Sequence, residues 1–511
     1  MKEHIITAHH TWTLPLDHYD ILLNGYQSWS DADLRPLSDT QTAPILEALI
    51  KQGYDIQFPP TGQAGVWRSH HLIALVTEKG AYIGFALSAK TSVACWEARI
   101  EQNAVTVTLK VDGTPEEVVF EWTDQPIQRI EDLSRQFAQN MQAPVWNPVR
   151  VWCSWYSYYR NITERDFIEN ARIARELDLP FDYFQLDDGY QNDLGDWLEK
   201  RPTFQGDVAG IPAQMERLGF KAGLWMAPFI ASPTSQLFQN HPEWFLRDTQ
   251  GQLVIAGDNW DNDYYALDLS QQEVLDWLED LARTFRSFGY SYFKLDFLFA
   301  GALPGVRQNG LSRTEAYRKG MEAFKKGAGD AFLLGCGAPL AQSVGLVDAM
   351  RIGPDVTPFW DDYARRRWVK DGSHPSLKGT LQTCLSRFYQ HHWYMPDPDV
   401  MIARQKLSLL SDQERESLLR LVQVTGGLLA SSDPLMLLEQ KDIDLLRTSL
   451  EFHPRDLPAT LNERFGLAPT HYRTVTFNLT EELQDGIAPH ASRKAEGRGP
   501  RAEGMALHGI G

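Results

Sequence analysis

The sequence predicts an α/β protein built on a (β/α)8 barrel of TIM type, with an N-terminal antiparallel β domain and a short or truncated C-terminal β segment. Three observations predict it. Between about residues 149 and 452, eight short apolar runs alternate with amphipathic helical stretches. Upstream of about residue 125 the runs are short, alternating and separated by Gly, Asn, Asp and Pro, the texture of antiparallel strands. No Gly-rich dinucleotide fingerprint follows the first run of the central region, which favours a closed barrel over an open sheet.

Taken in order, HLIALVT, AYIGFALS, AVTVTLKV and EEVVFEW are the strand candidates of an N-terminal β domain, residues 1–125. IQRIEDLSRQFAQNM has apolar residues at helical spacing, and the two prolines of APVWNPVR favour an extended connector. Together they form a linker, 126–148. The barrel, 149–452, opens with VRVWCSW, a helix from near Thr163 and FDYFQLDD. KAGLWMAPF, a helix over about 271–287 and SYFKLDF follow. Next come the helix SRTEAYRKGMEAFKKG, the strands AFLLGCG and DAMRIGPD, the helix SLKGTLQTCLSRFYQ, and HHWYMPDPD. The helix SDQERESLLRLVQVTG, GLLASSDP and a helix around Ile443 complete it. HYRTVTFNL is a remnant C-terminal strand within 453–485. Residues 486–511 are Gly-rich, without periodicity and expected to be disordered, a truncated or frame-shifted ending.

At 511 residues the chain has room for a barrel of roughly 250 residues plus flanking modules. Lys plus Arg total 49 against 67 Asp plus Glu, so the net charge of -18 argues against nucleic acid and anionic membrane as partners. The 4 cysteines have neither CxxC nor Cys/His ligand spacing, which argues against a zinc knuckle or a disulfide scaffold. With no bilayer-length apolar segment, the expectation is a soluble cytoplasmic protein of open oligomeric state. The 16 Trp, 18 Tyr and 24 Phe are mostly core, yet such rings also suit a cleft that stacks on sugars.

Barrel sites lie at the C-terminal tips of the strands, and the tips here are acidic. FQLDD ends in Asp187 and Asp188, FKLDF in Asp296, MRIGPD in Asp355 and GLLASSD in Asp433. AFLLGCG ends with Cys336, KAGLWMAPF brings Trp225, and HHWYMPDPD brings Trp393, Asp397 and Asp399. Strand alternation puts Lys294 and Asp296 on one face, where the ammonium is expected to lower the Asp296 pKa and preserve a nucleophile; a buried salt bridge explains the same triplet. An apolar setting made by Phe359 and Trp360 would let Asp355 hold a proton, although GPD is also an ordinary turn. Two readings remain open on the residues alone. A glycosidase needs two acids with hydroxyl-binding groups and stacking rings, whereas a lyase or isomerase needs carboxylates converging on a divalent ion.

The strings WCSWYSYY, YFQLDDGYQNDLGDWL, GLWMAPF, YALDLS, YFKLDFLFAGALPG, LLGCGAPL and MRIGPDVTPFW, in this order and spacing, resemble the compact bacterial α-galactosidases (melibiases) of glycoside hydrolase family 36. NGYQSW resembles the loop of that family's β domain whose tryptophan reaches the cleft. The resemblance spans about residues 24 to 450. It implies Asp296 as nucleophile and Asp355 as acid/base, with Asp187 and Asp188 on the O4 and O6 side of galactose. It further implies Trp225 near C6, Lys294 and Arg351 on ring hydroxyls, Trp29 closing the cleft, and Trp152, Trp155 and Cys336 lining it. The implied reaction is retaining exo-hydrolysis of α-galactoside oligosaccharides of melibiose or raffinose type, with carboxyls roughly 5–5.5 Å apart and neither metal nor cofactor. A raffinose-synthase-like transglycosylase is the first alternative, and an inactive carbohydrate-binding homologue the second.

Overall fold

The computed structural model describes residues 2–42, 44, 47–260, 262–362, 368–369, 374–425 and 427–451. The expected C-terminal strand and Gly-rich tail lie outside them.

Two antiparallel sheets make the N-terminal unit. The larger runs in the order Lys2–Ile6, Glu117–Thr123, Gly80–Ala86, Leu72–Thr77, Asp20–Asn24, Ala32–Pro36. The smaller runs His9–Pro15, Ala104–Gly113, Ser92–Ile100, Val66–His70. Alternation along each strand turns one face inward, where Trp12, Trp67, Trp96, Leu109 and Phe120 form a core between the sheets. All four strand candidates of this region are present. Lys2–Ile6, His9–Pro15, Asp20–Asn24, Ala32–Pro36, Val66–His70 and Ser92–Ile100 were not among them, because their runs are short or broken by polar residues and have weak apolar signals.

The helix Pro126–Asn140 follows, with Pro at its first turn and Ile130, Leu133 and Phe137 buried. All eight expected central strands form. Arg150–Cys153, Tyr183–Leu186, Lys221–Met226, Tyr292–Leu295, Phe332–Gly335, Ala349–Arg351 and Met395–Asp397 pair in parallel, in chain order. Leu429–Ser431 pairs with the first of them and with the short Val400–Met401, and Leu428 N–H donates to Pro396 O at 2.9 Å. The sheet thus curls round on itself as a TIM-type barrel does.

Helix starts follow their caps. The Thr163 side chain accepts from Asp166 N–H before Glu164–Glu176, Ser312 and Glu315 form a capping box on Arg313–Ala328, and Ser376 caps Leu377–Ser386. Among the described residues, no helix is long and apolar enough to cross a membrane.

Two readings of tryptophans need correction. Trp152 does not line a cleft: it is fully buried, stacked on Phe184 at 5.3 Å and set edge-on to Phe167 of the next helix. Its strand neighbour Cys153 takes the inward position, reaching Asp187, so alternation sends the indole into the layer between strand and helix. Trp393, taken with the strand-tip residues, is also core, against Phe137, His71 and Tyr389 on the side of the N-terminal unit.

Candidate active site

The C-terminal strand tips bring four groups of polar side chains together. At the first, Lys294 Nζ donates to Asp187 Oδ2 at 2.9 Å, and that oxygen also accepts from Gln185 Nε2 at 2.6 Å and from Cys153 Sγ at 3.4 Å. Burial works against the Lys294 ammonium, yet the Asp187 charge holds it well above its usual range, so it stays charged.

Asp296, one strand position pair beyond Lys294, forms the second. Its Oδ2 accepts from Trp225 Nε1 at 3.0 Å and its Oδ1 from the backbone N–H of Phe297 at 2.9 Å. Phe297 has a left-handed backbone, φ 52°, which turns the chain sharply after the carboxylate. Burial pushes the Asp296 carboxyl above the ordinary range. Lys294, the Trp225 indole and the Cys336 thiol pull it back, and the Asp355 charge adds to the rise. The net lowering expected from Lys294 does not result: its charge is the strongest of the opposing influences, but its hydrogen bond goes to Asp187 and desolvation of Asp296 outweighs it.

Arg351 anchors the third. Its guanidinium donates to Asp355 Oδ1 at 2.8 Å, Asp397 Oδ2 at 3.2 Å and Asp399 Oδ1 at 2.8 Å. Asp399 also accepts from Tyr156 OH and from Val356 N–H. Burial raises the Asp399 carboxyl, with Arg351 opposing and the Asp355 and Asp397 charges adding. Asp355 differs from its neighbours: its side chain is 36% exposed where Asp397 and Asp399 are enclosed. Its immediate partner is the guanidinium rather than the apolar setting expected from Phe359 and Trp360.

In the fourth, Asp188 Oδ2 accepts from Trp260 Nε1 at 2.8 Å and Oδ1 from Gln191 Nε2 at 2.6 Å, with Arg160 Nε 3.7 Å away. Burial raises this carboxyl too. Trp260 belongs to an insertion after the third barrel strand, next to a small sheet of Ile230–Ala231, Tyr264–Ala266 and Ile255–Gly257. Its ring lies 6.4 Å from Trp225 and 4.8 Å from Phe297, and Phe297 in turn meets Trp29 at 5.1 Å. These rings make a wall over the carboxylates.

Trp29 arrives from the N-terminal unit. Its loop forms an antiparallel bridge, Gln27 to Pro339, beside the loop after Cys336, and Ser28 N–H donates to Ala338 O at 3.1 Å. Arg387, fully buried, holds the loop from below by donating to the carbonyls of Ser28 at 2.7 Å and Ser30 at 2.6 Å, and to Ile352 O at 2.8 Å. Trp155 sits beyond the first strand, edge-on to Tyr159 at 5.2 Å.

The structure thus brings Asp187, Asp188, Trp225, Lys294, Asp296, Cys336, Arg351, Asp355 and Trp29 together at one end of the barrel, and excludes Trp152. Sequence reasoning missed Arg387, Trp260, Gln185 and Gln191 as contributors. Trp260 lies in an aperiodic insertion, and Arg387 at a helix end looks like an ordinary last-turn base.

Comparison with known proteins bears on this geometry. Residues 114–315 match the Melibiase family. TtGalA, an α-galactosidase from Thermus thermophilus solved with p-nitrophenyl α-D-galactopyranoside, is 33% identical with a TM-score of 0.77, over 88% of this chain and 89% of that one. AgaA of Geobacillus stearothermophilus, a GH36 α-galactosidase, shares the fold at 17% identity and a TM-score of 0.58, over 88% of this chain and 62% of that one. The curated sequence "Alpha-galactosidase AgaA" from the same organism is 29% identical over 176 residues, which span 30% of this chain and 22% of the relative. With a third of its residues identical to TtGalA along nearly the whole of both chains, and a barrel that ends in a ring of carboxylates, the chain belongs to the α-galactosidases (melibiases) of glycoside hydrolase family 36.

Proposed function

We propose that the chain is a retaining exo-α-galactosidase acting on terminal α-galactosyl residues of small oligosaccharides. The observation that carries this reading is the contrast between two neighbouring carboxylates: Asp296 is buried and fixed by two N–H donors, while Asp355 is partly open and anchored by Arg351. Two carboxylates with different surroundings suit two different duties.

In the first step an Asp296 oxygen attacks the anomeric carbon, and the bond from that carbon to the leaving oxygen breaks as Asp355 gives that oxygen its proton. In the second, Asp355 takes a proton from water, whose oxygen attacks the same carbon; the ester to Asp296 breaks, and galactose leaves with its α configuration. Two inversions restore the starting stereochemistry. Asp187 and Asp188 have spare lone pairs for the O4 and O6 hydroxyls. A sugar with O4 epimerised would leave a buried acceptor unpaired, at about 1–3 kcal/mol. Arg351, already shared among three carboxylates, acts by holding Asp355 as well as by any contact with a hydroxyl. Trp29 and Trp260 supply the apolar faces. TtGalA has been solved with stachyose at a TM-score of 0.78, which supports an oligosaccharide as substrate. The four buried, unpaired thiols suit the reducing cytoplasm.

The test is turnover of p-nitrophenyl α-galactoside followed by NMR, beside Asp296→Ala. The wild type should release α-galactose first. The variant should lose about a thousandfold or more, and azide should restore part of it by forming β-galactosyl azide. First release of β-galactose, or wild-type turnover by the variant, would refute the assignment.

A further inference from the structure

Away from the strand tips, the helix Pro126–Asn140 is fastened to the turn Phe388–His392 that leads into the seventh barrel strand. Ser134 Oγ donates to Tyr389 O at 2.6 Å, and Trp146 Nε1 to His391 O at 3.1 Å. Between these bonds Glu131 meets two adjacent imidazoles. His392 Nε2 lies 2.6 Å from Glu131 Oε2, and His391 Nδ1 lies 3.8 Å from Oε1 and 2.7 Å from the Phe388 carbonyl. Glu131 is only 3% exposed, and its Oε1 accepts no hydrogen bond among the described residues. The two imidazoles lie side by side, with centroids 3.9 Å apart and planes tilted by 42°, and keep 16% and 19% of their side-chain surface open to solvent.

We infer that Glu131, His391 and His392 form a binding site for a divalent transition-metal ion of the zinc class. One carboxylate and two imidazoles are a ligand set such ions prefer. One donor atom from each residue lies within 4.8 Å of the other two. A tetrahedral ion with ligands at about 2.0–2.1 Å needs donors roughly 3.3 Å apart. The carboxylate-to-imidazole separations, 2.6 Å from Oε2 to His392 Nε2 and 3.8 Å from Oε1 to His391 Nδ1, lie on either side of that value, so rotations of the carboxylate and the two rings can bring one oxygen and both nitrogens onto a common ion. The ion would also give Oε1 the partner it lacks, which a carboxylate hydrogen-bonded through Oε2 alone does not. Arg135 is the competing cation: its Nη2 is 3.2 Å from Oε2. It is 48% exposed and has Asp132 as a second partner at 2.8 Å, so it can swing out when the ion enters. Water or the Phe388 carbonyl would fill the fourth position. The bound ion would staple the linker helix to the barrel.

The test uses the full chain, freed of metal with a chelator and titrated with Zn2+ in a calorimeter, with Co2+ absorption and thermal melting as further readouts. The expectation is one ion per chain at micromolar affinity or tighter, a visible Co2+ band, and a Tm higher by a few degrees. Glu131→Gln and His392→Gln should each weaken binding at least about tenfold and abolish the Tm rise. Turnover of p-nitrophenyl α-galactoside by the metal-free proteins should be alike. Should either variant fold poorly, His391→Asn, which leaves the Glu131 to His392 bond intact, provides the same comparison. Absence of stoichiometric binding, or equal affinity in wild type and variants, would overturn the site and leave a hydrogen-bonded Glu–His seam. Neither outcome bears on the galactosidase reading.

Discussion

Burial pushes the Asp296 carboxyl up, and the Trp225 indole is one of the groups opposing it through a 3.0 Å bond. A nucleophile must be ionised, so turnover falls as pH drops through the Asp296 pKa. Trp225→Phe removes a donor that favours the charged form. Its acid limb in kcat/KM should therefore move to higher pH, and kcat should fall about ten- to a hundredfold, in line with about 1.5–3 kcal/mol for a hydrogen bond to a charge. A pH–rate profile that keeps its acid limb in place would show that the indole acts by shape alone. The carboxylates themselves were legible in the sequence because each closes an apolar run that can only be a barrel strand, and such tips face the cleft. What surrounds each carboxyl was not. Whether Lys294 serves Asp296 or Asp187 depends on which strand lies opposite, and Asp187 is 107 residues away.

At the scale of the element, the loop around Trp29 is positioned by the barrel more than by its own unit. Gly337 has φ 52°, and a Cβ there would lie 2.7 Å from the Trp29 ring. Gly337→Ala thus combines backbone strain with a push on the indole. It should raise KM for p-nitrophenyl α-galactoside several-fold, as should Trp29→Ala, while lowering kcat less; equal losses in both constants would place the ring in the chemical step instead. Arg387 fixes the same loop and the Ile352 carbonyl next to Arg351 with one guanidinium whose hydrogen bonds, among the described residues, go to carbonyl, amide and hydroxyl oxygens. Arg387→Met leaves several buried carbonyls without donors, at about 1–3 kcal/mol each, and should lower Tm by at least several degrees. The barrel's strands and helices were readable from periodicity, with helix starts placed at Thr163 and Ser312, the residues that cap them. The bridge of Gln27 to Pro339 was not, because it joins two irregular loops whose residues have no repeat to read.

For the molecule as a whole, the seam between the N-terminal unit and the barrel is held by a second arginine. Arg313, at the start of the helix Arg313–Ala328, donates through Nη1 and Nη2 to the two oxygens of Asp55 at 2.9 and 2.8 Å, and stacks its guanidinium over Tyr26 at 5.2 Å. Asp55 is fully enclosed, and His70 Nε2 is 3.3 Å away. Burial opposes its charge, but Arg313 and His70 prevail and hold the carboxyl well below the usual range. A depressed carboxylate contributes stability that is complete above its unfolded pKa and is lost as pH falls through the folded one. In Arg313→Met only the His70 imidazole is left to oppose burial, so the Asp55 pKa rises, and the variant's deficit against wild type grows as pH climbs through the new value. The variant should be less stable than wild type by about 3–5 kcal/mol at neutral pH, and the deficit should shrink towards pH 4.5, where Asp55 can take up a proton. Arg313→Met combined with Asp55→Asn should recover much of the loss at neutral pH, since an amide needs no counter-charge. Thermal melts of the three proteins at pH 7.5 and 4.5 decide the matter. A deficit independent of pH, or a double variant as weak as the single one, would mean that Arg313 matters through its packing on Tyr26 and not through the charge it shares with Asp55.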